Sequence, residues 1–317
     1  MRSRRREPVA QGSSGETKGR PPSLVPADPA SRSVWWIVAA PPRPPWDVRA
    51  GDAADIQRRL TPHQLHYPGL EIAVRCEPLE EVGGDFVDAV TMPDGRLLLV
   101  VADVCGNGLP AALVAMSLHG IVRCCAQDGY SLGEIAERLN GYLQFSHSDG
   151  PFVTMACVAI DLLSGACEAI NAGHPPLLVI QPQGSVRRLT SGGTFPLGIA
   201  TITARTATDV IAPDDVMLVY SDGWTELYGH CGQMLGITGL TRSVASVCRD
   251  CSTAPLDEVL NAVHVHLAKF QGRVPAQDDR TLMLVRRRSV DHGRPSTRET
   301  LPRASCTKGH QPWPRRT

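Results

Sequence analysis

Two strongly apolar runs end on an aspartate with glycine close behind: LLLVVAD (97–103), before Val104-Cys105-Gly106, and VMLVYSD (216–222), before Gly223. A β run that delivers a carboxylate at its edge takes it out of water, which is costly unless something positive replaces the water. Glycine at such a place lets backbone or ligand come close. The pattern extends to Asp85, which follows Gly83-Gly84 in VGGDFVD, and to the pair Asp278-Asp279 ahead of the strand-like RTLMLV. No lysine or arginine stands near enough in sequence to be the obvious partner of Asp85 or Asp103. Taken singly, an Asp-Gly reads as a turn and an Asp-Asp pair as a solvated loop. Taken together, carboxylates gathered by converging strands would repel one another by several kcal/mol unless a multivalent cation sat among them. An all-oxygen set favours the hard ions Mg²⁺ and Mn²⁺ over zinc. On the residues alone this reads as a divalent-metal site suited to phosphate chemistry.

Charge is distributed to match. Across 317 residues the formal charge is zero, yet residues 1–50 carry nine Lys/Arg against four acids and residues 286–317 carry nine against two. The middle, 51–285, is left at −12, with 14 basic and 26 acidic residues. That excludes nucleic acid as the main partner and suits cation binding. The termini are rich in Pro, Arg, Ser and Gly, so 1–50 and 288–317 are expected to be disordered basic tails. The opening MRSRRREPVAQGSSGE has no apolar run behind its basic start, and VWWIVAA is too short to span a bilayer. A cytoplasmic chain with reduced thiols and no membrane span is expected. Cys248 and Cys251 have zinc-like spacing, but no second such pair follows, and cysteines filling helix faces is the plainer reading.

Between the tails the element types alternate. A linker helix is expected over 51–66, with DAADIQRRL as its core, followed by a strand at LEIAVRC. FVDAVTM and GRLLLVVAD predict a hairpin around Pro93-Asp94-Gly95. Helical apolar spacing marks GLPAALVAMSLHGIVRCCAQ and SLGEIAERLNGYLQF. Strands are predicted at FVTMACVAID, GACEAINAG, PLLVIQ, SVRRLT, TARTATDVI and DVMLVYSD, then helices over 235–249 and 255–270, then the strand RTLMLVRR. Hairpin-linked strands with helices arriving in pairs predict an α+β sandwich of largely antiparallel sheets covered by helix pairs.

The order VGGDFVD, DGRLLLVVADVCGNGLPAAL, FVTMACVAIDLLSGACEAINAGHPPLLVI, SGGTFPLGI, VMLVYSDGWTEL, DDRTLMLV resembles the bacterial type 2C-like (PPM) serine/threonine phosphatases. The closest group is that of the sporulation stage II protein E and RsbU-like regulators of alternative sigma factors. The resemblance places the phosphatase domain at 67–287 and implies a four-layer αββα sandwich with two metals, Mn²⁺ or Mg²⁺, in a cleft at one edge. It implies that Asp103 bridges both metals, that the Val104 carbonyl ligates one, and that Asp222 and Asp278 complete the other site. Asp85 is expected to act directly or through water, and Asp279 to be a further metal-site residue. Gly106 and Asn107 are expected to bind the substrate phosphate. The implied reaction is in-line attack on phosphoserine or phosphothreonine by a metal-activated water, without a phosphoenzyme.

Two departures from the family pattern stand out. Relatives often read DVSGKG or DVSGHG where this chain has DVCGNG, so Asn107 replaces a cationic or imidazole side chain. SGGTFPLGI is bulkier than the usual glycine-proline form. His174 in NAGHPP has two readings, as a general acid or as a loop-shaping residue together with Asn171 and Gly173. The expected partner is a phosphorylated regulatory protein resembling an anti-sigma-factor antagonist, with a homodimer formed through the helix at 52–65. The alternatives are a catalytically weak phosphatase-fold module that sequesters a partner, and a metal-dependent hydrolase of nucleotides or small phosphoesters.

Overall fold

The computed structural model describes residues 50–62, 64–146 and 150–288; apart from Ala50 and Arg288, the expected tails lie outside the described residues. Helix α1 (Ala50–Leu60) leads into β1 (Gln64–Tyr67) and β2 (Leu70–Glu77), and β3 (Asp85–Thr91) and β4 (Leu97–Val104) form the predicted hairpin. Helices α2 (Gly108–Gln127) and α3 (Leu132–Ser146) come next. Seven strands follow: β5 (Val153–Ile160), β6 (Ala166–Ala172), β7 (Leu178–Ile180), β8 (Val186–Arg188), β9 (Gly192–Thr194), β10 (Ala207–Val210) and β11 (Val216–Tyr220). Helices α4 (Gly236–Asp250) and α5 (Leu256–Gln271) and the strand β12 (Arg280–Arg287) complete the order.

The strands form two sheets, β1-β2-β12-β11-β7-β8 and β10-β6-β5-β4-β3, with β9 joined to β6 as a parallel neighbour. Side chains alternate across a strand with period two, and β4 uses both of its faces in this way. Leu97, Leu99 and Val101 enter a core shared with Val74, Met217, Val219, Met283 and Val285 of the other sheet. Leu98, Val100 and Ala102 face α2 and α3 on the opposite side. A third core joins Leu218, Tyr220 and Leu284 to α4 and α5. Three cores separating four layers give the αββα arrangement that the family resemblance implied, in agreement with the α+β sandwich expected from the order of elements.

Two local expectations are corrected. The linker helix stops at Leu60, short of 66, because Pro62 lacks a donor and disfavours helical backbone at Thr61. The next residues form the edge strand β1, pairing Leu65 with Ile72. The GGT of SGGTFPLGI, read without a strand, supplies β9 and the one parallel pairing among the described strands. Helix α2 is long and apolar enough to cross a membrane by length and composition, but it lays Ala111, Ala115, Leu118 and Val122 on the sheet, and core burial accounts for that apolar face.

Candidate active site

The site lies at one end of the core between the sheets. Asp85 opens β3 directly opposite Asp103 on β4, and Asp103 is in turn opposite Thr154 on β5. All three lie on the same side of the sheet as the inter-sheet core residues Val87, Val101 and Ala156. From the other sheet, β11 ends at Tyr220 and a single 3-10 turn, Asp222–Trp224, carries Asp222. Asp278 and Asp279 stand just before β12, which pairs with β11.

Ser221 ties the two sheets together here. Its hydroxyl donates to Asp85 Oδ2 at 2.8 Å and accepts from the Thr281 amide at 2.8 Å. Asp279 has a different task from its neighbour. Its oxygens accept from the amides of Leu79 and Gly84, both at 2.6 Å, so this carboxylate anchors the loop that carries the double glycine. A Cβ on Gly83 would stand 2.5 Å from the Asp279 carboxylate. A Cβ on Gly84 would stand 2.7 Å from the Val104 carbonyl oxygen. Both glycines are therefore required by close approach, and that approach keeps Asp85 and Val104 beside each other.

Electrostatics show the carboxylates acting on one another. Burial and then the charges of Asp222, Asp278 and Asp279 push Asp103 up to about 7. Burial, followed by the charge of Asp103, raises Asp85 well above the usual range, against the hydroxyls of Thr281 and Ser221. Asp222 is raised by burial, then by Asp278 and Glu226. No arginine or lysine is among the main influences on Asp85, Asp103 or Asp222. Arg280, the nearest in sequence, is drawn off to Glu77 at 2.7 Å, to Gln271 at 2.9 Å and over the Trp224 ring. Asp85 Oδ1 and Asp222 Oδ1 are buried without a hydrogen-bond partner. Orphaned anionic oxygens in a pocket of mutually raised carboxylates are what a hard cation would satisfy.

Among the described residues, no three His, Cys, Asp or Glu side chains close on one point able to hold an ion. The pocket therefore does not form an all-protein cage. Mg²⁺ characteristically keeps several waters and takes one or two carboxylates, and these residues fit such a hydrated ion.

The turn after Asp103 leads into α2. Gly106 takes a positive φ of 103°, and Asn107 sits at the helix N-cap without making a side-chain cap bond. Both are exposed beside Asp103, leaving the Asn107 amide directed to no partner of its own. His174 is buried on the far side of Thr154, whose hydroxyl lies 2.8 Å from Nδ1. The His174 amide donates to Asn171 Oδ1 at 2.8 Å, and Asn171 Nδ2 donates to the Pro175 carbonyl at 3.1 Å. Burial pushes the His174 ring down to about 3, so it is neutral near pH 7 and shapes the loop; the general-acid reading does not suit it.

Sequence reasoning missed Ser221, whose residue type carries no signal in VYSDG. It also missed Asp88, fully buried on the helix-facing side of β3. Arg123 of α2 grips Asp88 through two bonds of 2.6 Å, and His119 Nε2 stands 3.0 Å away at a poor hydrogen-bonding angle. This lock fixes α2, and with it the turn at 104–107, to the strand that begins with Asp85. Cys248 is buried and Cys251 half-buried, both free thiols at the C-terminal end of α4, as the plainer reading expected.

Comparison with known proteins gives consistent relatives. The family model described as Stage II sporulation protein E (SpoIIE) matches residues 93–288. Protein IcfG of Synechocystis sp. is 29% identical over 211 residues, covering 57% of this chain and 33% of that protein. The phosphoserine phosphatase RsbP of Bacillus subtilis is 25% identical over 186 residues, covering 56% of this chain and 46% of that protein. The chain thus spans less than half the length of these two relatives. Among solved structures, the RsbU and RsbW domains of Rv1364c from Mycobacterium tuberculosis superpose with a TM-score of 0.63 at 29% identity, covering 73% of this chain and 63% of that one.

Proposed function

The chain belongs to the stage II sporulation protein E family, and on that premise we propose that it is a metal-dependent phosphatase of phosphoserine or phosphothreonine in a regulatory protein. The observation that carries the reading is the pocket where burial and neighbouring carboxylates, Asp278 among them, raise the proton affinity of Asp85, Asp103 and Asp222. Two divalent cations, Mn²⁺ or Mg²⁺, would be held there by Asp103, the Val104 carbonyl, Asp222 and Asp278. When bound, they supply an acidified water and positive charge against the phosphoryl oxygens. The remaining work falls to the chain. Ser221 holds Asp85 through Oδ2 and leaves Oδ1 free to accept from a water. Asn107 and the first amides of α2 donate to the phosphoryl group, a role helix N-termini suit. We assign Asp279 to anchoring the glycine loop.

The partner we propose is a phosphorylated protein of the anti-sigma-factor-antagonist type, in a bacterial sigma-factor pathway. The phosphoserine phosphatase name of RsbP and the pairing of RsbU and RsbW domains in Rv1364c support this reading. Control by a separate protein or by dimerisation through α1 is proposed, the second supported by the exposure of Ile56 and Leu60 on that helix. Purified protein with manganese should hydrolyse a phosphoserine peptide, and Asp103→Ala should abolish that hydrolysis; unchanged turnover in the variant defeats the assignment.

A further inference from the structure

We propose that the groove between the β7–β8 hairpin and α4 docks an acidic segment of the phosphoprotein substrate. This rests on the phosphatase reading and adds a second contact away from the carboxylate pocket. The groove is about 540 Å³ and is lined by Arg187, Arg188, Arg242 and Arg249, with Thr238, Thr241 and Ser246 between them and no acidic residue. Arg187 is paired with Asp209, and Arg249 with its own neighbour Asp250. Arg188 and Arg242 are exposed, and no carboxylate among the described residues pairs with either. The first turn of α4, at the same groove, contains no acid and no side-chain cap; the Gly236 amide donates to the Thr225 carbonyl, and the amides of Ile237 and Thr238 that follow favour an anion. Such a patch is conspicuous on a segment whose net charge is −12.

Charge complementarity selects the occupant. A long polyanion such as nucleic acid would meet the repulsion of the acidic remainder, whereas a short run of Asp and Glu fills the groove and goes no further. Register gives the spacing. Arg188 pairs with Leu178, Leu178 with Leu218, and Asp222 lies four residues beyond Leu218 on the same chain run. At strand spacings that is ~13 Å along and ~10 Å across, about 16 Å in all, or roughly five extended residues. A phosphoserine in the pocket thus leaves an acidic run five to eight residues away within reach of the groove.

The test uses the full chain with manganese and three substrates: para-nitrophenyl phosphate, a phosphoserine peptide with neutral flanks, and the same peptide with six Asp/Glu placed five to eight residues from the phosphoserine on either side. The acid-tailed peptide should show a KM about fivefold lower at low salt, fading at high salt, as rim charges do. The double variant Arg188→Glu/Arg242→Glu should lose this preference and keep its turnover of para-nitrophenyl phosphate. Fluorescence anisotropy with the unphosphorylated acid-tailed peptide reads the groove independently of turnover, and binding should weaken in the double variant. Failure to hydrolyse any of the three would overturn the phosphatase reading while leaving that binding result to judge the groove. Equal KM values for the two peptides, a preference or peptide binding that survives the double substitution, or equally tight binding of single-stranded DNA would overturn the docking proposal.

Discussion

Asp85 and Asp103 are direct partners on adjacent antiparallel strands, both turned into the gap between the two sheets. Like charges so placed destabilise a sheet. Here the charges of Asp222 and Asp278 add to the repulsion, and no arginine or lysine is among the main influences on Asp103 or Asp222.

Manganese should therefore stabilise the fold. At about a hundred times its dissociation constant an ion specific to the folded state contributes ~2.7 kcal/mol, roughly 5–10 °C in Tm for a domain of this size. Without metal, Asp103→Ala should melt at or above the wild-type temperature, because it removes repulsion, and manganese should leave it unmoved. Differential scanning calorimetry with and without EDTA checks both statements. A metal-free variant clearly less stable than the wild type would contradict the electrostatic account.

Ser221→Ala should cost about 1–3 kcal/mol, since the Thr281 amide and Asp85 Oδ2 both lose their partner in a buried setting. It should also lower kcat, about tenfold, by releasing Asp85 from its position. Denaturant melts and steady-state kinetics on one preparation separate the two effects. Ser221→Thr retains a hydroxyl and should recover part of the activity.

Gly84→Ala tests the close approach to the Val104 carbonyl. The backbone must yield by several tenths of an ångström, so the fold should survive with loss of metal-dependent activity of at least tenfold. Circular dichroism should look native while turnover collapses. Activity within twofold of wild type would show that the Val104 carbonyl need not sit where it does.

His174 gives the pH dependence a defined sign. Its ring is held near 3 when folded, against about 6.5 in an unfolded chain. Between those values the unfolded state binds the extra proton, so stability is full above about pH 6.5 and is lost as pH falls toward 3. His174→Asn should flatten that slope in acid melts. Because the ring is neutral at working pH, the variant should keep the acidic limb of its rate profile at the same pH; a shifted limb would return His174 to proton transfer.

The four pocket aspartates were legible because each carries a local mark: an apolar run before it, a glycine beside it, or a strand directly after it. Adjacent residues point in different directions, however, and a doublet such as Asp278-Asp279 does not say in sequence which carboxylate faces the pocket and which turns to the backbone amides of Leu79 and Gly84. Ser221 and Asp88 were beyond reach for a related reason. Their partners Asp85 and Arg123 lie 136 and 35 residues away, and only the packing of sheet on sheet and of α2 on its sheet brings them together. The over-long linker helix came from giving the helical pattern of DAADIQRRL more weight than Pro62. The sandwich of antiparallel sheets covered by helix pairs, in contrast, was legible in the order of hairpin-linked strands and paired helices, and the family resemblance supplied its four αββα layers.

The most direct test is isothermal titration of the metal-free protein with manganese, beside Asp103→Asn, which keeps the shape of the side chain and removes its charge. Two ions per wild-type chain and severely weakened binding in the variant are predicted. Absence of saturable binding in the wild type, or identical binding in Asp103→Asn, would contradict the claim that these aspartates converge to hold divalent ions.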